Sequence, residues 1–529
     1  MIPSTIESIG FKIYSAIASS FPIVSASDEF FYFPQVKASD PEWGIWDRFS
    51  PDFIQGFIRE LSLWENKIDQ LISEPFPLEA GKHSETEYSE IRVLKKITQT
   101  LREHLDHTRV WETQPSFYLT ITCLGLAEAL ESGVPEAHQR AGSLPDFLDQ
   151  AGRNLKMVPS IFRDIGLEMI LDTRGYLTML LPELPELSSA LKALDRFEQN
   201  LKSLAVQADF LLPKEQLAGI IRYHINCGMD LQEVNNALDL EIKSNTRVLE
   251  DEASHMGHDT WQAGYESIGL PTVGKDGLVG LYRDEVTRLG RHCKELGLVT
   301  DSLYRSNPVW VMPVPGYLSA VRAASSYSIS PGHPPSGGTF YVFNAHNPEE
   351  ATKKYNREYK VLSAHETWPG HHLLDICRWS LKSPILRVVE QPIFYEGWAC
   401  FTEEMLRLTG YISDPQDRLI VAKRRLWRAI RGKVDLGLQA GTMTITEAVS
   451  HLTRTGMTRE QARSSARKYL LNPGYQVCYT IGLRNFLSLF ERYGENNVVK
   501  FARIILNQGE ICFNDLERVV QNKIGRNHR

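Results

Sequence analysis

The sequence predicts a mainly α-helical protein built around one metal site, on three observations. Apolar residues recur at three- and four-residue steps along most of the chain, with charged residues on the opposite faces. Few segments alternate with period two. One octapeptide, His365-Glu366-Thr367-Trp368-Pro369-Gly370-His371-His372, gathers three histidines and a glutamate in a chain that holds 15 histidines.

The elements follow in order. Ile9–Ala26 is mildly apolar and ends in Val24-Ser25-Ala26-Ser27, a weak likeness of a cleavage site. Lys12 inside it, Pro22 late in it and the lack of a basic start favour a first helix and a turn. Helical periodicity then runs through Phe53–Ile72, Glu87–His107, Leu119–Ser132, Leu187–Gln207, Lys214–Ile221, Leu231–Met256 and Leu278–Leu296. Strands are expected at Val309–Met312 and Gly338–Phe343, around a stretch from Asn307 to Gly338 rich in Pro, Gly and Ser. That stretch is expected to divide an N-terminal helical lobe, residues 1–306, from a catalytic lobe, residues 307–529, within one integrated unit. Helices follow at Phe394–Thr409, Gln416–Gly441, Thr446–Thr455, Thr458–Leu471, Gln476–Arg492 and Asn496–Leu506. Thr446-x-x-Val449 and Thr458-Arg459-Glu460-Gln461 look like helix starts, the second a capping box. Ile524–Arg529 is expected to fray.

Composition narrows the function. With 42% hydrophobic and 23% charged residues the chain is neither disordered nor fibrous. A net charge of −7 with dispersed Lys and Arg argues against a nucleic-acid partner. No apolar run approaches the roughly 18–20 residues of a membrane span. The cysteines (Cys123, Cys227, Cys293, Cys377, Cys400, Cys478 and Cys512) are odd in number and form no CxxC, so reduced thiols and a cytoplasmic location are expected. Cys377, Cys400 and Cys478 lie near the octapeptide and read as small buried hydrophobes before soft ligands.

The octapeptide is the raw material of a hydrolytic zinc site. Imidazoles hold the metal, and the glutamate beside the first of them takes a proton from an activated water. Its spacing departs from the standard helix, whose histidines stand at i and i+4. Here i+4 is Pro369, and the next histidines, at i+6 and i+7, would lie roughly 9–10 Å up a regular helix. Ligand bonds of about 2 Å cannot bridge that. Pro369-Gly370 supplies the repair by bulging two residues out of the helical path. Without them the string reads His-Glu-Thr-Trp-His, which makes His371 the second ligand and His372 a neighbour; the choice between the two stays open.

A third ligand is expected downstream, in Phe394–Glu404. Glu396 leads, because small Gly397 and Ala399 would let its helix approach the metal helix closely. Glu403, seven residues on and on the same face, reads as a support, an ion-pair partner or surface, as does Glu404. Tyr479 is a candidate oxyanion donor. Arg431 and Asp435, at i and i+4, form a structural ion pair or hold a substrate carboxylate. His333 and His346 flank the second strand and read as solvated loop residues within reach of the site.

These residues carry a resemblance. The chain is similar to the bacterial family called domain of unknown function 885, whose hallmark is His-Glu-x-x-Pro-Gly-His. Pro334–Val342, Glu396-Gly397-Trp398-Ala399, Val434-Asp435-Leu436-Gly437-Leu438 and Pro473-Gly474-Tyr475-Gln476-x-x-Tyr479-x-x-Gly482 match it in order and spacing. The resemblance implies a zincin-like helical metallopeptidase with a deep cleft between two helical lobes and a small β element near the site. It implies zinc on His365, His371 and Glu396, Glu366 as base and Tyr479 as oxyanion donor. Substrate contacts are expected from His372, Arg431, Gln439 and Tyr475. Gln439 and Asn514 stand where family members commonly carry histidine, which implies altered specificity with the metal set intact.

The expected function is zinc-dependent hydrolysis of an amide bond in a short peptide or peptide-like small molecule. The alternatives are a tailoring enzyme of small-molecule metabolism working by ester, amide or lactam hydrolysis or rearrangement, and a catalytically silent protein that keeps zinc for structure.

Overall fold

The computed structural model describes residues 5–27, 29–30, 33–36, 42–73, 85–207, 210–314, 325–329, 335–342 and 349–525. The fold is mainly α, as the periodicity predicts. The described residues fall into two compact units, one up to His224 and the other from Ile225 onward.

The first unit is a stack of helices from Thr5–Ser20 to Lys214–Gly219. The N-terminal segment folds as a helix and a turn that bury Ile13, Ile17, Ile23 and Val24. An aromatic cluster follows, with Phe21 at 5.3 Å from Phe49 and 5.2 Å from Phe57 between ring centroids. Val134–Asn154 and Ser160–Leu180 are helices that the periodicity does not mark; the first carries Pro145 in its interior, which disguises it. Two short π-helical turns, His104–Thr108 and Ile220–Ile225, bring the rings of His104 and His224 to 4.8 Å, both buried.

Burial pushes both imidazoles below their ordinary range, His224 to about 3. The unfolded chain takes up these protons near pH 6.5, so the stability that the neutral pair contributes is present above that pH. It is lost as pH falls through 6.5 toward 3, by about 1.4 kcal/mol per pH unit for each proton. His104→Phe is expected to make the acid limb shallower by one proton, read from denaturation midpoints at pH 7 and pH 5. A variant with the parent's pH dependence would contradict this account.

The second unit begins earlier than the Pro/Gly-rich stretch suggests, and its boundary is not at residue 306. The cause is the long helix Leu231–His255, which runs antiparallel along Pro415–Gln439. Asp239 pairs with Lys433 at 2.8 Å, Glu241 with Arg425 at 2.7 Å and Glu252 with Arg418 at 2.7 Å. Those acids sit far upstream of the expected division, so helices assigned to the N-terminal lobe belong to the motif-bearing unit.

A small sheet has the strand order Val309–Pro313, Gly338–Val342, Ser326–Ile329, the first pair parallel and the second antiparallel. Both expected strands are present, and Ser326–Ile329 is an addition. Thr458 and Gln461 form the expected capping box, whereas the preceding helix is capped by Thr444 with Glu447, two residues before the expected Thr446. A final helix, Phe513–Gly525, buries Ile524 and so reaches into the stretch expected to fray, the rest of which, 526–529, lies outside the described residues.

Candidate metal centre

The octapeptide is a break between two helices and not a bulge within one. The first helix, Glu349–Glu366, ends on Glu366, and Thr367 turns back to bond the Ser363 carbonyl through both its N–H (2.9 Å) and its hydroxyl (2.6 Å). The second, His371–Trp379, starts from Gly370. Pro369 sits between them, and its carbonyl accepts a bond from the Trp398 indole at 3.1 Å, which ties the break to the helix carrying Glu396. Gly370 is dictated by space: a Cβ there would stand 1.9 Å from the His365 carbonyl oxygen and 2.3 Å from that of Ala364. Gly370→Ala is therefore expected to cost on the order of 3 kcal/mol and to lower the thermal midpoint measurably. An unchanged midpoint would contradict the close approach.

The break brings both histidines to one carboxylate. Glu396 Oε2 lies 3.5 Å from His365 Nε2 and 3.7 Å from His371 Nε2, and one atom of each residue falls within 4.8 Å of the others. A tetrahedron with bonds of about 2.0–2.1 Å has edges of about 3.4 Å, so the donor set fits zinc in both chemistry and size. Glu396 stands on Pro392–Leu408, where the expected close approach is made to a different helix. A Cβ on Gly397 would lie 2.6 Å from the Gly482 Cα, so the tight crossing is with Val477–Tyr493, the helix carrying Tyr479.

Glu403 has a role that spacing left open. It is buried and bonds His365 Nδ1 at 3.0 Å, which fixes the ring with Nε2 toward Glu396. Arg428 at 2.6 Å and Arg424 at 3.2 Å complete its bonds. Burial would raise the Glu403 carboxyl, yet the charges of Arg424 and Arg428 hold it well below the usual range. At Glu396 burial likewise acts upward, and the bond from His365 with the charge of His371 holds it at about 2. Both acids stay ionised at neutral pH, which suits a cation.

The remaining expected residues divide. Glu366 is buried at the helix end beside His365. Tyr475 donates to Glu396 Oε1 at 3.0 Å, and Tyr479 shares a hydrogen bond with the same carboxylate. Burial and Glu396 raise the Tyr479 phenol, which keeps its proton. Arg431 lies over the Tyr479 ring, its guanidinium carbon 3.4 Å from the centroid.

His372 faces elsewhere. The Tyr327 hydroxyl bonds its Nδ1 at 2.9 Å and the Asn307 carbonyl its Nε2 at 3.0 Å, so both ring nitrogens are occupied in the core. Gln439 is fully buried with its amide directed at the Tyr469 and Leu470 carbonyls. Asp435 is no partner of Arg431 by hydrogen bond; it accepts the backbone N–H groups of Gly474 and Gln476, each at 3.0 Å, and so fastens the turn ahead of Tyr475. Burial pushes the Cys377 and Cys400 thiols up to about 12, and neither joins the cluster. His333 and His346 lie outside the described residues.

Known proteins bear on this arrangement. No curated protein matches the chain. Two solved structures share the fold at 15% sequence identity, each covering 98% of this chain and 99% of its own. One, from Shewanella oneidensis, is described as a lipoprotein of unknown function and has a TM-score of 0.73. The other, described as a lipoprotein from Colwellia psychrerythraea, has a TM-score of 0.74. The bacterial proteins of unknown function termed DUF885 match residues 91–520, a span holding the whole His365–His371–Glu396 cluster. On that match, which spans well over half of the sequence, the chain belongs to the DUF885 family.

Proposed function

We propose that the protein is a zincin-like, zinc-dependent hydrolase that cleaves an amide bond in a short peptide or peptide-like small molecule. The observation that carries this reading is the convergence of His365, His371 and Glu396, from three helices, on a volume the size of one ion. Zinc bound there would supply a Lewis acid for the substrate carbonyl and make water acidic enough to attack at neutral pH.

The chain's own groups do the rest. Glu403 holds the His365 ring in the tautomer that turns an unprotonated Nε2 toward the cluster. Glu366, adjacent in sequence to His365, accepts the proton of the attacking water and passes it to the leaving amine. Tyr479, which keeps its proton, donates to the oxyanion, and Tyr475 steadies Glu396 while that happens.

The test is hydrolysis of a pool of short peptides followed by mass spectrometry. Cleavage is expected to stop after removal of metal by a chelator and to return on adding zinc, with one equivalent of metal per chain. A protein that binds no divalent metal sinks the reading.

A further inference from the structure

Five cations crowd one side of the candidate centre, and three of them are matched by acids. Lys423 bonds Glu358 at 2.8 Å, Arg424 bonds Glu358 at 3.1 Å and Glu403 at 3.2 Å, and Arg428 bonds Glu403 at 2.6 Å. Arg431 and Lys354 are the exceptions. Among the described residues neither has an acid within ion-pair reach. Arg431 is only 7% exposed, and its Nε and Nη2 are buried without a hydrogen-bond partner. A buried guanidinium left in that state costs free energy that an anion would recover.

Both cations lie against one ring. The Arg431 guanidinium carbon lies 4.3 Å and the Lys354 ammonium 5.2 Å from the Trp427 ring. Burial, with the charges of Lys423, Arg424 and Arg431, presses the Lys354 ammonium down to about 8 against the pull of Glu358. The Arg431 charge also acts on Asp435, one helical turn on, but the two form no ion pair or hydrogen bond. The position of Arg431 is specific: it stacks on the Tyr479 ring, and the Tyr479 hydroxyl bonds the Glu396 carboxylate.

We propose that Arg431 and Lys354 form a subsite for a free substrate carboxylate, so that the protein acts on the amide bond next to a carboxy terminus. The inference rests on the hydrolase reading for the reaction but not for the binding. The planar fork of Arg431 engages the carboxylate while Lys354 adds a point charge, and a neutral terminal amide satisfies neither. No covalent step is added to the amide hydrolysis already described.

The experiment is calorimetric binding to zinc-loaded Glu366→Gln protein, a host chosen to suppress turnover. The probes are N-acetyl-Ala-Ala with a free carboxylate, the same dipeptide as its amide, and N-acetyl-Ala-Glu amide, which carries its carboxylate on a side chain. The free acid is expected to bind at least about tenfold more tightly than either amide. Adding Arg431→Gln should bring that ratio to about one, Arg431→Lys should restore part of it, and Lys354→Gln should reduce it with Arg431 intact. Equal binding of acid and amide, a ratio unmoved by Arg431→Gln, or a Glu amide that matches the free acid would each overturn the proposal. Cleavage is read separately on the unsubstituted protein, where acid-selective binding without hydrolysis of any probe would sink the hydrolase reading and leave the subsite standing.

Discussion

Glu366→Gln is expected to keep its full complement of zinc and to lose about 10²–10⁴-fold in turnover, the range that a positioned general base supplies. The residue ends the helix Glu349–Glu366, next to His365 but outside the set of three that converges on one ion. An amide keeps the side chain's shape and removes its basicity, so the metal and the thermal midpoint should barely move. Metal content by plasma mass spectrometry and peptide turnover, measured on one preparation, check it. Undiminished turnover in the Glu366→Gln protein would remove Glu366 from the reaction, and loss of its zinc would make Glu366 a ligand.

His371→Ala is expected to weaken zinc binding by more than about 100-fold, beyond the 10–100-fold that follows loss of an outer hydrogen-bond partner. His372→Ala should leave zinc affinity nearly unchanged and lower the thermal midpoint. The two neighbours differ because His371 Nε2 approaches Glu396, whereas both nitrogens of His372 are taken by Tyr327 and Asn307. Competition titration against a chelating dye separates the cases. Equal losses of affinity in the two variants would mean that the helix restarting at His371 presents both rings to the ion.

Much of the candidate site was legible because its signal is local. The eight residues from His365 to His372 contain two of the candidate ligands, the proposed base and the Pro-Gly break between them, and Glu396 follows in a segment with its own pattern. Helical periodicity marked most elements because each amphipathic face is a local record of burial. Where a proline sat inside a helix, as at Pro145, the record was blurred.

What stayed hidden depends on residues distant in sequence. Spacing put Glu403 on the face of Glu396 but could not say that it would meet Arg424, Arg428 and His365 Nδ1. Nor could it foresee that Gly397 would press on Gly482 rather than on the metal helix. Gln439 read as a substrate contact because it occupies a family position, yet only the packing of Tyr469 and Leu470 around it reveals where its amide goes.

The sequence by itself determined a helical protein with a candidate two-histidine, one-glutamate set and a glutamate beside it, since those follow from periodicity and from neighbours along the chain. Tertiary structure alone decided which histidine faces Glu396, which carboxylate orients His365, where the first unit ends, and that no acid among the described residues stands within ion-pair reach of Arg431 or Lys354. The physical reason is that ion pairing and close packing are properties of distances in space, which the order of residues fixes only after the chain has folded.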